Sequence, residues 1–344
     1  MLESGHTSTV LDTVQAGSKR TVCSALTFIE MLPYSLGLWP HFLYKPGGLH
    51  WGVIVPDLTL AERILYSTVK LTASKGGVPV STGTGFFMHF AVQRDRFCPA
   101  IVTNKHVVNG ADQITAVCHF ADGDKPSGKF VACNLLIAQG SYIKHPDLDV
   151  DLCAIPFSEV MNQANDAGTP IFLQFLDHSI IPADDDWEYF DAIEEVTMIG
   201  CPNGISDEFN NLPMSRRGIT ASPLSKKYNG KDEFMVDMAC FPGSSGSPVF
   251  IYDRNGFLNR RTGAYSIGAQ RIVLVGILYA GPQIANNGQI ILGQPPRVMV
   301  AAMMHLGNVI RSSALHAIDA EFCRRSNTIP APEITVGPVI EPEK

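Results

Sequence analysis

From residue 64 onward the chain consists of short apolar segments separated by glycine-rich turns, and this pattern constrains its fold more than any other feature. Residues 64–72 alternate apolar and polar side chains, which is typical of a half-buried β-strand. Residues 252–256 carry the Asn-Gly pair of a hairpin turn. Parallel sheets need a helix between successive strands, so closely spaced strands favour antiparallel barrels. We therefore expect an all-β fold built from barrels.

A serine held between two glycines stands near the middle of the second half of the chain. The segment 241–248 reads Phe-Pro-Gly-Ser-Ser-Gly-Ser-Pro and places Ser245 in that position. Gly243 lets the backbone bend so that the amides of Gly243 and Ser245 can point at one spot beside the Ser245 hydroxyl. This arrangement indicates a nucleophile with an oxyanion hole. Because these residue types also make ordinary surface turns, the hypothesis requires a base and a carboxylate elsewhere.

Candidates for the base and the carboxylate both lie upstream. His106 stands after a short polar turn at the exit of an apolar strand, and Asp151 opens an apolar run that predicts a buried strand. An aspartate entering a core strand is costly without a partner, and a histidine would supply one. His145, in a His-Pro-Asp turn, is the rival base, and Asp149 is the rival carboxylate. The histidines without a neighbouring motif are interpreted as core or surface residues: His89, His119, His178, His305 and His316.

Five motifs follow one another in an order that resembles chymotrypsin-like serine proteases. They are Ser-Thr-Gly-Thr-Gly-Phe-Phe at 81–87, Thr-Asn-Lys-His-Val-Val at 103–108, Met-Ile-Gly-Cys-Pro-Asn-Gly at 198–204, the serine segment at 236–248, and Val-Gly-Ile-Leu-Tyr-Ala-Gly at 275–281. They are similar to the bacterial high-temperature-requirement branch, here without a PDZ domain. The resemblance covers about residues 63–312. It implies two six-stranded antiparallel β-barrels with a C-terminal helix.

The chain departs from the digestive branch of that family in two places. The residue before the nucleophile is Ser244, where digestive enzymes carry an aspartate that pairs with a new amino terminus. No Ile-Val-Gly-Gly start is visible either, so we do not expect activation by that ion pair. The cysteines also do not occupy the family's disulfide positions beside His106 and Ser245.

The resemblance implies acyl transfer through an acyl-enzyme. His106 would remove the Ser245 proton, Asp151 would orient the imidazole, and the amides of Gly243 and Ser245 would bind the developing oxyanion. No metal or organic cofactor would be required. None of the residues implied to bind substrate is charged, so we expect cleavage after a small or medium apolar residue. These substrate-binding residues are Ala239, Phe241, Tyr279, Ala280 and Gly281.

The resemblance implies a polypeptide substrate, and composition and charge argue against other classes of partner. The formal net charge of −7 argues against nucleic acid as the main partner, because phosphate binding requires a basic surface. The eight cysteines show no CxxC pair, so we expect neither a zinc site nor a disulfide framework, and we predict a reducing, cytoplasmic location. A glutamate and two prolines interrupt the apolar segment 21–43, so we expect no signal peptide or membrane insertion.

The chain divides into four predicted regions. Residues 1–62 are an extension that either packs across the barrels or covers the active site. Residues 63–180 are the first barrel, which carries His106 and Asp151, and residues 181–312 are the second, which carries Ser245 and the C-terminal helix. Residues 313–344 are a tail, flexible from residue 326.

Two shorter segments complete the prediction. Apolar residues at helical spacing place the C-terminal helix over 298–315. The acidic stretch 184–191 is expected to connect the barrels as a solvated loop.

Two other functions remain open. The chain could be a catalytically silent module that keeps the fold for binding or sensing. It could also be a protease that a regulatory partner activates, which would leave the isolated chain inactive. The oligomeric state is not indicated by any feature of the sequence.

Overall fold

The structure of the chain is a computed structural model. It describes residues 29–30, 58–93, 96–138, 140–281, 283–289, 297–325 and 334–340. Side chains are described at these positions except 29–30, 93, 96, 283–303 and 334–340. Most of the extension predicted over 1–62 therefore lies outside the described residues.

The N-terminal half forms a ten-stranded sheet with antiparallel strand pairs. Its strands are β1 (Ile29–Glu30), β2 (Thr68–Lys75), β3 (Val78–Gln93), β4 (Arg96–Thr103), β5 (Gln113–Asp122), β6 (Lys125–Leu136), β7 (Ile143–Lys144), β8 (Cys153–Pro156), β9 (Ile171–Phe172) and, from the end of the chain, β20 (Ile334–Ile340). The order across the sheet is β20-β6-β5-β2-β3-β4-β8-β7, with β1 on β4 and β9 on β5.

The first predicted strand starts later than the sequence pattern indicates. Helix α1 (Leu60–Tyr66) occupies the first part of 64–72, and β2 begins only at Thr68. Thr59 accepts a hydrogen bond from the Glu62 amide while the Glu62 carboxylate accepts one from the Thr59 amide, and this capping box starts the helix. The local capping signal therefore outweighs the alternation of apolar residues.

One face of the N-terminal sheet encloses a single hydrophobic core. Five consecutive strands contribute to it through Leu71, Phe87, Ile101, Ile114 and Val131, all of which are buried. The sheet therefore curls around its own side chains. Strand β20 pairs with the outer edge of β6, and among the described residues no ladder joins β6 to β7. Pairing among the described strands consequently leaves this sheet open between β6 and β7.

The C-terminal half contains a closed six-stranded barrel of order β10-β11-β12-β19-β16-β13. The strands of this half are β10 (Glu195–Gly200), β11 (Met214–Thr220), β12 (Glu233–Asp237), β13 (Pro248–Asp253), β14 (Gly256–Asn259), β15 (Ala264–Ile267), β16 (Arg271–Ala280), β17 (Gln283–Gln289), β18 (Arg297–Met303) and β19 (Leu306–Arg311). The pairs β14–β15 and β17–β18 are separate hairpins. The all-β fold prediction is confirmed, with one barrel closed by strand pairing.

The C-terminal helix exists, but its predicted position over 298–315 is wrong. That region contains β18 and β19, and helix α4 (Leu315–Arg325) begins where the prediction ends. Strand β19 pairs with both β12 and β16, so closing the barrel requires it to be extended despite its helical spacing. Helix α4 buries Phe322 against Phe90 of β3, with ring centroids 4.7 Å apart. The strand β20 lies in the region where a flexible tail was predicted.

The acidic connection between the halves is held by two arginines of the β14–β15 turn. Arg261 pairs with Asp185 and Asp186, and Arg260 Nη1 lies 3.2 Å from Asp191 Oδ1. The remaining helices are α2 (Lys105–Val108) and α3 (Ser158–Asp166). Ion pairs therefore join the stretch that was predicted to be a solvated loop to the β14–β15 turn. Exposed ion pairs of this kind contribute little stability.

Candidate active site

His106 stands just after β4, as the second residue of the short helix α2. Its neighbours Val107 and Val108 are buried in the core of the N-terminal sheet, so the helix presents His106 outward. About half of the His106 side chain is exposed, at 47%. Burial of the two valines holds the helix in place, and His106 on its other side stays accessible to solvent.

Asp151 reaches His106 through two hydrogen bonds. His106 Nδ1 lies 2.5 Å from Asp151 Oδ2, and the His106 amide donates to Asp151 Oδ1 at 3.1 Å. Asn104 Nδ2 donates to the Asp151 carbonyl at 2.7 Å, which fixes the backbone on the other side. Strands β4 and β8 pair with Thr103 opposite Cys153, so residues just beyond these positions are brought together. The pairing therefore places the aspartate beside the histidine.

His145 and Asp149, the alternative base and carboxylate, form hydrogen bonds within their own turn. The Asp147 amide donates to His145 Nδ1 at 3.1 Å, and His145 is buried. Burial lowers the pKa of His145. The Asp149 amide donates to Asp147 Oδ1 at 2.9 Å, and the Asp149 side chain is exposed. Both belong to one turn, and among the described hydrogen bonds His106 is joined to Asp151 and to neither of them.

Ser245 occupies a tight turn between two residues of positive φ. Gly243 has φ +82° and Gly246 has φ +88°, a region that disfavours residues with a Cβ. The Gly246 amide donates to the Leu278 carbonyl at 2.8 Å, which ties the turn to β16. Both glycines therefore have a backbone conformation that favours glycine, as expected for a tight turn.

The turn leaves two backbone donors unused while its carbonyls are satisfied. Thr84 Oγ1 donates to the Gly243 carbonyl at 2.9 Å, and the Thr84 amide donates to the Ser245 carbonyl at 2.8 Å. Within the described part of the chain, neither the Gly243 amide nor the Ser245 amide donates a hydrogen bond. Two unpaired N–H groups within one turn are the kind of donors that bind an oxyanion.

The Ser245 hydroxyl does not contact His106 in this structure. Ser245 Oγ donates to the Tyr279 carbonyl at 3.3 Å, and across the described residues no hydrogen bond joins it to the imidazole. In serine hydrolases such hydrogen bonds often form fully only when substrate is bound.

The predicted substrate-binding residues are partly exposed, and one of them lies beside the serine segment. A Cβ built on Gly281 would lie 3.5 Å from the Cys240 carbonyl and 3.2 Å from the Leu306 carbonyl, so three segments meet there. Ala239, Phe241, Tyr279, Ala280 and Gly281 are all partly exposed. The Tyr279 phenol donates to Glu233 Oε2 at 2.8 Å, and burial raises its pKa.

Three neighbours of the site have no role in the sequence-based prediction. Thr84 lies inside a recognised motif, but only the structure shows that it binds the serine turn. His305 has φ +58° and sets its ring edge-on against Phe241, with centroids 5.9 Å apart. Arg216 donates to Ser244 Oγ from a distant strand, and no local pattern marks it.

No metal centre or membrane span emerges from the described residues. Among them, no group of three or more His, Cys, Asp or Glu side chains could hold a metal ion. In the same ranges no helix is long and apolar enough to cross a membrane. The seven cysteines that the structure describes are free thiols.

Sequence comparison matches one protein family. The model of the trypsin-like peptidase domain matches residues 83–258, which is about half of the chain and includes His106, Asp151 and Ser245. A search of curated proteins finds no match.

Solved structures with distant similarity include three proteases. They are the serine endoprotease from Yersinia pestis (17% identity, TM-score 0.39, covering 76% of this chain), the MamO protease domain from Magnetospirillum magneticum (14%, 0.37, 75%) and the tobacco etch virus protease complexed with product (10%, 0.40, 86%). The matched region covers 98% of the second chain and 91% of the third. It spans only 64% of the Yersinia pestis chain.

Proposed function

Because this chain belongs to the trypsin-like peptidase domain family, whose model matches residues 83–258, we propose that it is a serine endopeptidase. The proposal assigns Ser245 as nucleophile, His106 as general base and Asp151 as the group that orients the imidazole. It rests chiefly on the contact of 2.5 Å between His106 Nδ1 and Asp151 Oδ2. A carboxylate at Nδ1 holds the proton there, which leaves Nε2 free to accept one from a serine hydroxyl.

The reaction proceeds in two acyl-transfer steps. His106 takes the Ser245 proton as Oγ attacks the scissile carbonyl carbon, and the amides of Gly243 and Ser245 bind the oxyanion. The imidazolium then protonates the leaving amine, which departs as the acyl-enzyme forms. Water, deprotonated by His106, hydrolyses the ester and restores Ser245. Each oxyanion donor is expected to stabilise the transition state by about 3 kcal/mol.

The substrate is proposed to be a polypeptide cleaved after a small or medium apolar residue. The surface made by Ala239, Phe241 and Ala280 is partly exposed and carries no charged side chain. The Tyr279 phenol is engaged by Glu233 and so does not offer its polar group to a substrate. A peptide library cleaved mainly after Arg or Lys would contradict this specificity.

A second candidate function is a partner-activated protease or a catalytically silent module. It is favoured by one observation, the hydrogen bond from Ser245 Oγ to the Tyr279 carbonyl instead of to His106. A partner that turns the hydroxyl toward the imidazole would then activate the site. The two candidates differ in whether the isolated chain reacts.

The deciding experiment is intact-mass analysis of the full chain after exposure to a fluorophosphonate. We expect one adduct on the unmodified protein and none on Ser245→Ala. Ser247→Ala is the matched control, because Ser247 lies in the same turn and its buried Oγ has no partner among the described residues. Labelling of both variants, or of Ser245→Ala alone, would refute the assignment of the nucleophile. No labelling of the unmodified chain would favour the second candidate.

A further inference from the structure

The side chain of Arg216 connects two points of the serine segment. Arg216 lies on β11 opposite Met198 of β10, and its Nη1 donates to Ser244 Oγ at 2.9 Å and to the Ala239 carbonyl at 2.5 Å. Ser244 is fully buried and directly precedes the nucleophile. One guanidinium nitrogen therefore fixes both ends of residues 239–244.

The Arg216 side chain is partly buried, and its guanidinium has an uncommon electrostatic environment for a cation. Among the described residues Arg216 makes no ion pair, and its Nε and Nη2 are buried without a hydrogen-bond partner. Burial lowers its pKa, and the ionisable groups closest to it electrostatically are the thiols of Cys240 and Cys201. Burying part of a cation without a counter-ion normally costs stability. The hydrogen bonds of Arg216 to Ser244 and Ala239 therefore explain its position better than a contribution to stability does.

The segment that Arg216 contacts contains an amide of the proposed oxyanion hole. Thr84, from the N-terminal sheet, binds the carbonyls of Gly243 and Ser245. Arg216, from the barrel, binds Ser244 between them. The turn is thus held from two directions, and both unpaired amides belong to residues flanking the Arg216 contact.

We propose that Arg216 is a positioning residue that holds Ser244 so that the Gly243 and Ser245 amides stay aimed at the oxyanion. This inference rests on the proposed serine peptidase function. Arg216 touches neither the nucleophile hydroxyl nor the imidazole in any described hydrogen bond, so it acts through the backbone of the turn. Without it, Ser244 would lose its donor and the turn would sample conformations with the two amides misdirected.

Arg216→Ala tests the proposal, with Arg217→Ala as the matched control. Arg217 is the next residue of the same strand, pairs with Glu195 at the surface, and has 68% of its side chain exposed. We expect Arg216→Ala to lower the second-order rate constant of fluorophosphonate labelling about 100-fold, near the loss caused by removing one oxyanion donor. With a peptide substrate the loss should fall on kcat and leave KM within about twofold, because an oxyanion interaction belongs to the transition state. Arg217→Ala should label at the rate of the unmodified protein.

A second measurement does not require activity. Hydrogen–deuterium exchange of the peptide covering residues 239–247 should be faster in Arg216→Ala and unchanged in Arg217→Ala. Arg216→Lys keeps one donor and should recover part of the labelling rate. If Arg216→Ala fails to fold by circular dichroism, Ser244→Ala removes the same hydrogen bond from the other side and should slow labelling about tenfold.

The outcomes separate the two proposals. Labelling and exchange that match those of the unmodified protein in Arg216→Ala, or in Ser244→Ala where that variant is used, would overturn the positioning role while leaving the peptidase function intact. Absence of labelling in the unmodified chain would count against the peptidase function, and exchange over 239–247 would still decide whether Arg216 holds the turn. A loss confined to KM would overturn the inference, because it would indicate a role in substrate binding.

Discussion

Gly246→Ala should destabilise the protein far more than a single methyl group normally does. Gly246 has φ +88°, and a Cβ there would lie 1.9 Å from the Thr84 carbonyl oxygen and 2.6 Å from Thr103 Oγ1. The nearest atom belongs to the backbone, so no rotamer change can relieve the overlap. Thr103 Oγ1 also donates to that carbonyl at 2.8 Å, and moving Thr84 would break this buried bond.

Three effects contribute to the expected loss of free energy of unfolding in Gly246→Ala. A left-handed backbone costs a residue with a Cβ about 1–2 kcal/mol. Overpacking against fixed atoms typically adds about 1–3 kcal/mol, and a lost hydrogen bond about 1 kcal/mol. We therefore expect Gly246→Ala to reduce the free energy of unfolding by about 3–6 kcal/mol, a large share of the roughly 5–15 kcal/mol typical of a folded protein.

Gly230→Ala separates backbone strain from steric overlap. Gly230 has φ +79°, and no atom lies within 4 Å of its built Cβ, so only the backbone cost of about 1–2 kcal/mol applies. Urea denaturation of the two full-length variants measures the difference, and labelling by a fluorophosphonate reports on the turn. Equal stability losses at the two positions would refute the close approach of Thr84 to the serine turn.

Two further predictions concern histidines. Asp151→Asn should keep the turn folded but lower peptide hydrolysis about 10⁴-fold, because an amide at 151 favours the wrong imidazole tautomer of His106; a kcat within tenfold of normal would contradict the triad. His89 is stacked on Phe175 with ring centroids 4.3 Å apart, and burial lowers its pKa from 6.5 to about 4, with Asp177 opposing the shift and His178 adding to it. The unfolded chain therefore binds the proton more tightly, so stability present above about pH 6.5 should fall by up to about 3 kcal/mol as the pH drops to about 4. His89→Phe should flatten urea midpoints over this range, and an unchanged slope would exclude His89 as the cause.

The sequence identified the parts of the site whose requirements are local. A serine turn needs glycines at fixed offsets, and the structure gives both Gly243 and Gly246 positive φ. The apolar residues beside His106 and the buried strand after Asp151 are likewise readable from neighbouring residues. These features predicted which histidine and aspartate would meet, and the structure brings them within hydrogen-bonding distance. Their catalytic roles stay predictions.

Periodicity predicts the wrong element where distant strands decide the backbone conformation. Residues of β19 have helical spacing, yet they pair with β12 on one side and β16 on the other. A strand that completes a barrel satisfies its hydrogen bonds with partners remote in sequence, which no local window contains. The capping box before α1 is the opposite case, since this local signal spans only four residues of the sequence and prevails over the apparent alternation of 64–72.

The sequence by itself determined the fold class, the order of the motifs and the candidate triad, because short-range backbone geometry and burial restrict the residues allowed at each motif. Only the tertiary structure decided which distant residues contact these motifs. Thr84 binds Gly243 across 159 residues, and Arg216 binds Ser244 across 28. It also decided that the Ser245 hydroxyl rests on the Tyr279 carbonyl, 34 residues away. Such contacts depend on the packing of separate strands, and packing is a property of the whole chain that no local pattern encodes.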